Sequence, residues 1–283
     1  MTEIVVFGTA AVDVMVQLAA LPKPGDHVAG ELRGWRPGGS SANLACALAS
    51  AGHQTQIVSP IGDDAAADAL VSELNRCNVG TAHVVRLPAP SPRALILVDG
   101  SGERTIIGLR TARPPDPYVL PAPPDLASAR CLYIENYSRC PPDIAAMAPS
   151  ALIVTPLPDP GASLGPAHIA IGSTAQLPQH WCSSPYNAAR QEFGKQLRWT
   201  VVTDGAAGAA AYGPGGVVRI SAPHAEQVDS TGAGDAFTAG LIHELLRGAD
   251  MKTALTTGAR WGAAMVERWQ SFPPAWEDVF DHG

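Results

Sequence analysis

The chain has 283 residues, enough for one large α/β unit or two average ones. Hydrophobic residues make up 46% and charged residues 16%, the balance of a globular protein with ample core material. A net charge of -7 excludes a general nucleic-acid or membrane-surface role, so any anionic ligand must be held locally by backbone N–H groups, a metal or a few placed cations.

"IVVF" (4–7) is a β-branched run ending at Gly8, the pattern of a buried strand. "SSANLACALASAG" (40–52) predicts a helix closed by Gly52, "QIVS" (56–59) a second strand, and "DDAAADALVSELNRC" (63–77) a helix with aspartates in its first turn. Strand, helix, strand, helix predicts a parallel sheet covered on both faces. Residues 14–36 and 93–110 break that rhythm. The first is punctuated by Pro and Gly without a helical period; the second pairs two β-rich runs around Asp99-Gly100-Ser101-Gly102, a hairpin signal. Either they build a small sheet projecting over a cleft as a lid, or they are two ordinary edge hairpins. Residues 111–124 are Pro-rich and predict an ordered loop. "RCLYI" (130–134), "ALIV" (151–154), "HIAI" (168–171) and "WTVVT" (199–203) read as core strands, and 208–213 with 217–220 as a hairpin. Residues 172–186 carry no clear period. Helices are predicted over 233–247 and 251–268, and no internal repeat is present. The five cysteines form no CxxC pair, no apolar run reaches membrane-spanning length, and the N-terminus reads as a strand, which together predict a cytoplasmic chain with free thiols.

Three constellations carry candidate chemistry. In "VDSTGAGDAF" (228–237), Gly232, Ala233 and Gly234 precede an apolar helical stretch. A helix start offers unpaired N–H groups and a partial positive charge, and glycines let them approach an anion. Asp235 in that first turn can orient and deprotonate a hydroxyl, although an aspartate there also suits plain helix capping. In "RPGGSSANLA" (36–45), Gly38 and Gly39 bring backbone close to a ligand, and the Asn43 carboxamide can meet a polyol's hydroxyls; a Gly-Gly turn before a packed helix fits as well. Asp13, between valines, needs a polar partner or an edge position. Arg104 in the hairpin can pair with a substrate anion, as can Arg93 and Arg110, or each can be an ordinary solvated arginine.

Taken together, "GGSSAN", a β-hairpin near residue 100, "TDGAAG" (203–208) and "DSTGAGD" (229–235) resemble, in order and spacing, the ribokinase-like (PfkB) carbohydrate kinases across nearly the whole chain. The resemblance implies a single domain over 1–283: a three-layer α/β fold with a central, mostly parallel sheet and a small β lid. It implies an ATP- and Mg²⁺-dependent kinase acting on a primary hydroxyl of a sugar, with Asp235 as base and the amides of Gly232, Ala233 and Gly234 as anion hole. Asp13, Gly38, Gly39 and Asn43 match substrate positions, and Glu135 matches a looser one. Thr203, Gly205 and Gly208 match the turn around the ATP phosphates, with the helix at Thr257, Gly258 and Gly262 closing the adenine pocket. Asp229 and Thr231 match residues that in some members hold a monovalent cation such as K⁺; here the C-terminal segment 266–274 lacks the glycine-containing pattern that would supply the other ligands. The family's Asn-x-x-Glu falls on Gly172 and Ala175, with neutral Gln176 beside them. Ala11 and Ser40 stand where ribokinase itself has Asn and Lys, which puts ribose in doubt. The alternatives are a nucleoside kinase of the same fold, which Trp35 as the one lid aromatic disfavours, and a sugar- or nucleotide-binding protein with vestigial catalysis. A homodimer through the lid follows by analogy.

Overall fold

The computed structural model describes residues 3–100, 104–109, 124–137, 140–141, 143–157, 164–269 and 272–280. Ser101 and Gly102 of the hairpin turn, Arg110, all but the last residue of the Pro-rich stretch, and Gln270 and Ser271 lie outside them.

In chain order the elements are β1 (Ile4–Phe7), β2 (Ala11–Gln17), β3 (Glu31–Gly38), α1 (Ser40–Ser50), β4 (Thr55–Gly62), α2 (Ala65–Arg76), β5 (Gly80–Leu87), β6 (Arg93–Val98) and β7 (Arg104–Leu109). They continue as β8 (Cys131–Ile134), α3 (Ile144–Met147), β9 (Leu152–Pro156), β10 (Ile169–Ser173), α4 (Pro185–Phe193), β11 (Trp199–Thr203), β12 (Ala209–Gly213), β13 (Gly216–Ile220), α5 (Ala233–Leu246), α6 (Met251–Val266) and α7 (Trp276–Phe280).

A nine-stranded sheet runs β13-β12-β11-β10-β9-β8-β1-β4-β5, parallel except where β12 and β13 return antiparallel beside β11. The continuous apolar runs have a direct cause: Ile4 and Val6 enter one core and Val5 and Phe7 the other, on opposite faces of β1. The first core also takes α1, α2, α5 and α6, and the second takes α3 and α4, which makes three layers. β1 lies between β4 and β8, so the order reverses at its carboxyl end, the place where open α/β sheets bind ligands.

Strands β2, β3, β6 and β7 form a separate four-stranded sheet, order β3-β2-β6-β7, around Met15, Ile96 and Val98. It leaves the main sheet right after β1 and re-enters through Gly39, at φ 93, into α1. Four elements were not expected from the sequence: β5, α4 and the short helices α3 and α7. β5 is a half-exposed edge strand with mixed burial along its length. α4 is a polar helix started by Pro185 inside a stretch of weak period.

Candidate active site

A cleft of about 900 Å³ opens between the small sheet and the carboxyl ends of the central strands, lined from the large sheet by Pro60, Tyr133, Pro156, Ser173 and Thr203 and by Thr9 just after β1. Its floor is the start of α5. Gly232 sits at φ 80, in left-handed backbone that glycine adopts without strain, and caps the helix. Gly232, Ala233 and Gly234 line the cleft with that helix end, where the helix dipole favours an anion; the Ala233 N–H makes a long bond of 3.4 Å to the Ser230 carbonyl.

Asp235 lies one step further on. Ser40 Oγ donates to its Oδ1 at 2.5 Å and Asn43 Nδ2 to its Oδ2 at 2.7 Å. α1 therefore delivers two donors onto the carboxylate of a residue nearly two hundred positions away. The carboxylate is packed in protein except on its cleft side, and this burial pushes it up to about 6. Glu135 adds to the rise, while the Ser40 and Asn43 hydrogen bonds and the Arg104 charge oppose it. Asn43 is buried, and its Oδ1 has no protein partner. With Nδ2 committed to Asp235, that oxygen is left to accept from a ligand hydroxyl.

Asp13, on β2, is buried and lines the same cleft. Burial raises it to about 6, opposed by Arg36 and Arg104 and assisted by Asp229. A Cβ on Gly38 would strike its carboxylate, and one on Gly39 would meet the Thr9 carbonyl oxygen at 2.5 Å, so both glycines answer close packing at the turn into α1. Arg104 and Arg93 reach the cleft from the small sheet, Arg93 also pairing with Asp64 at 3.4 Å. Thr203 and Gly205 line its far end; Gly208 is absent from the lining and at φ 108 lets β12 pass the Ile220 carbonyl closely.

Four other candidates lie elsewhere. Glu135 does not line the cleft: Thr9 N–H donates to its Oε2 at 2.5 Å, Ser41 Oγ to the same oxygen at 2.6 Å, and Thr9 Oγ1 to its Oε1 at 3.0 Å. It ties the end of β1 to α1. Thr257 donates to Glu244 Oε1 at 3.0 Å, and Gly258 lets α6 approach α5 within a Cβ radius of Phe237. Asp229 is buried against the Arg36 guanidinium, at 3.0 Å, and accepts the Thr231 N–H and hydroxyl at 2.8 and 2.6 Å.

At the turn after β10, Gln176 Oε1 accepts the Ser173 N–H at 3.0 Å, and residues 172–176 (Gly-Ser-Thr-Ala-Gln) carry no charge. Among the described residues no cluster of three or more His, Cys, Asp or Glu is arranged to hold a metal. Ser40 and Arg36 had no assigned role in the sequence reading. Ser40 sits inside "GGSSAN", and Arg36 is a cation placed against Asp13 in the β2–β3 register, a pairing visible once the strands are aligned.

A doubly covered sheet, a small sheet above its switch point and a glycine-lined helix start beneath are the marks of the ribokinase-like class. The profile described as pfkB family carbohydrate kinase matches residues 1–145 and 181–276. The chain belongs to that family, and it is a phosphotransferase of the carbohydrate kinase kind. It is 28% identical to an acarbose 7(IV)-phosphotransferase of Actinoplanes, over 93% of this chain and 91% of that one. It is 26% identical to the ribokinase of Bacillus subtilis, over 94% and 93%. The structure of Arabidopsis thaliana ribokinase complexed with ribose and ATP superposes with a TM-score of 0.81 at 22% identity, covering 99% of this chain and 98% of that one.

Proposed function

We propose that this chain transfers the γ-phosphate of ATP to a hydroxyl of a sugar or sugar derivative, with Asp235 as the base. The carrying observation is the floor of the cleft: a half-buried carboxylate, raised to about 6, beside a glycine-lined helix start. A base near neutrality accepts a hydroxyl proton without being too weak to take it. In this reading the acceptor sits between Asp13, Asn43 and Asp235, its hydroxyl donating to Asp235. As the oxygen attacks the γ-phosphorus, the Gly232–Gly234 amides stabilise the charge on the transferring group, and ADP leaves along the Thr203–Gly205 turn. The small sheet acts as the lid that excludes water and so suppresses ATP hydrolysis.

Mg²⁺ would neutralise phosphate charge in such a reaction, but the neutral Gly172–Gln176 turn builds no site for it. Phosphate oxygens and water would have to supply its ligands. A nucleoside acceptor is the weaker reading: among the described lining residues Tyr133 is the one aromatic, and it lies at the buried floor, not where a base would stack. Exposed Leu32 and Ile107 on the outer strands of the small sheet support pairing of two lids in a homodimer, which light scattering of the purified protein checks.

The test is ATP consumption with Mg²⁺ across neutral sugars, oligosaccharides, sugar acids and nucleosides. Turnover of a sugar class that Asp235→Asn abolishes supports the reading. Tight sugar binding without turnover of any acceptor would make the chain a binding protein.

A further inference from the structure

Arg36 occupies a place that the cleft chemistry above does not use. Its side chain and that of Asp229 are 8% and 1% exposed, and the guanidinium Nη2 donates to Asp229 Oδ2 at 3.0 Å. Nε lies 3.9 Å from Asp13 Oδ2, and the Trp269 ring faces the guanidinium carbon at 6.0 Å. The Val228 and Asp229 N–H groups donate to the Val266 carbonyl, so the stretch after α6 is fastened beside the same loop.

An alkali cation at Asp229 would need several oxygens converging on it. Here one carboxylate oxygen takes the guanidinium and the other takes two donors from Thr231. Trp269, shortly after α6, brings its indole face to the same guanidinium. A second cation ~4 Å from the guanidinium would lose affinity by on the order of a thousandfold through repulsion alone. Among the described residues, Asp229, Thr231 and Arg36 therefore do not fit a bound K⁺.

We propose that the Arg36 guanidinium is the resident cation of the 229–234 loop, replacing an exchangeable alkali ion and positioning the loop amides. Because Arg36 stands on β3 opposite Asp13, it also links the substrate side of the small sheet to the anion cradle through one side chain. The proposal rests on the kinase reading for its effect on rate, but not for its effect on cation binding.

Thallous ion, a spectroscopic stand-in for K⁺, tests the binding part on the whole wild-type chain. Thallium-205 NMR should show no saturable site, and a saturable site that Asp229→Asn removes would overturn the proposal. With an acceptor in hand, rates in KCl, NaCl and tetramethylammonium chloride at matched ionic strength should agree within about twofold, whereas activation by K⁺ of more than about tenfold would overturn it. Arg36→Met should lower kcat by about a hundredfold through a misplaced loop, with part of the loss recovered in KCl but not in tetramethylammonium chloride. A folded Arg36→Met protein with wild-type kcat would refute the positioning role, and Arg36→Lys serves if the methionine variant does not fold. Failure of the kinase reading shows differently, as no turnover of any acceptor in any salt, and the thallium measurement still decides the cation.

Discussion

Replacing Asp235 by alanine should destroy activity and yet make the protein more stable at neutral pH. The carboxyl rises from its ordinary 3.8 to about 6 on folding, chiefly through burial. At about 1.4 kcal/mol per unit, that is roughly 3 kcal/mol against the folded state once the group is ionised. Water on the cleft side screens the charge, which brings the expected figure to between about 1 and 3 kcal/mol. The sign follows from proton counting. Between 3.8 and about 6 the folded state holds the proton longer than the unfolded state, so stability falls as pH rises through that window. Alanine removes the titration. It also frees the Ser40 and Asn43 donors, a loss that water in the cleft offsets. Urea unfolding of both proteins from pH 4 to pH 8 isolates the pH-dependent part: alanine should gain relative stability with rising pH and level off above about 7. Over the same change, kcat should fall by about 10²- to 10⁴-fold. A stability difference that does not move with pH would refute the burial argument, and a retained kcat would refute the base assignment.

Further outcomes follow from the same geometry. Asp13 and Asp235 both sit near 6, so the acid limb of kcat/KM should fall below about pH 6 more steeply than one proton allows. Arg104 lowers both carboxyls, so Arg104→Gln should move that limb to higher pH; a limb at lower pH would contradict the placement of its charge. Glu135→Ala removes the acceptor of three donors and should cost about 2–4 kcal/mol in denaturant unfolding, with kcat of the folded protein nearly intact. A large kcat loss without destabilisation would instead put Glu135 on the substrate. Gly39→Ala forces a positive φ and a backbone clash and should destabilise by about 2–4 kcal/mol, with a raised sugar KM. Ala175→Glu returns a carboxylate to an exposed turn beside the cleft and should lower the Mg²⁺ concentration for half-maximal rate by about tenfold; no change would show that the turn does not approach the metal.

Local pattern alone was enough for β1, β4, β8, β9, β10 and β11 of the central sheet, for the β12–β13 hairpin and for α1, α2, α5 and α6, because each buries residues at a period that one element dictates. The glycine-rich turn before α5 and its aspartate were legible for the same reason: a helix start with glycines is a local arrangement. β5 and α4 were not legible, since an edge strand and a polar surface helix carry little periodic signal. Tertiary structure alone decided which carboxylates face the cleft. Glu135 is turned inward onto Thr9 and Ser41, and Thr257 and Gly258 serve the contact between α5 and α6. It also decided that Asp229 meets Arg36 across 193 positions and that Ser40 and Asn43 bond Asp235 across 195 and 192. Those pairings depend on where the small sheet and α1 dock above the switch point, and docking is set by the shape of two cores rather than by the spacing within any one segment.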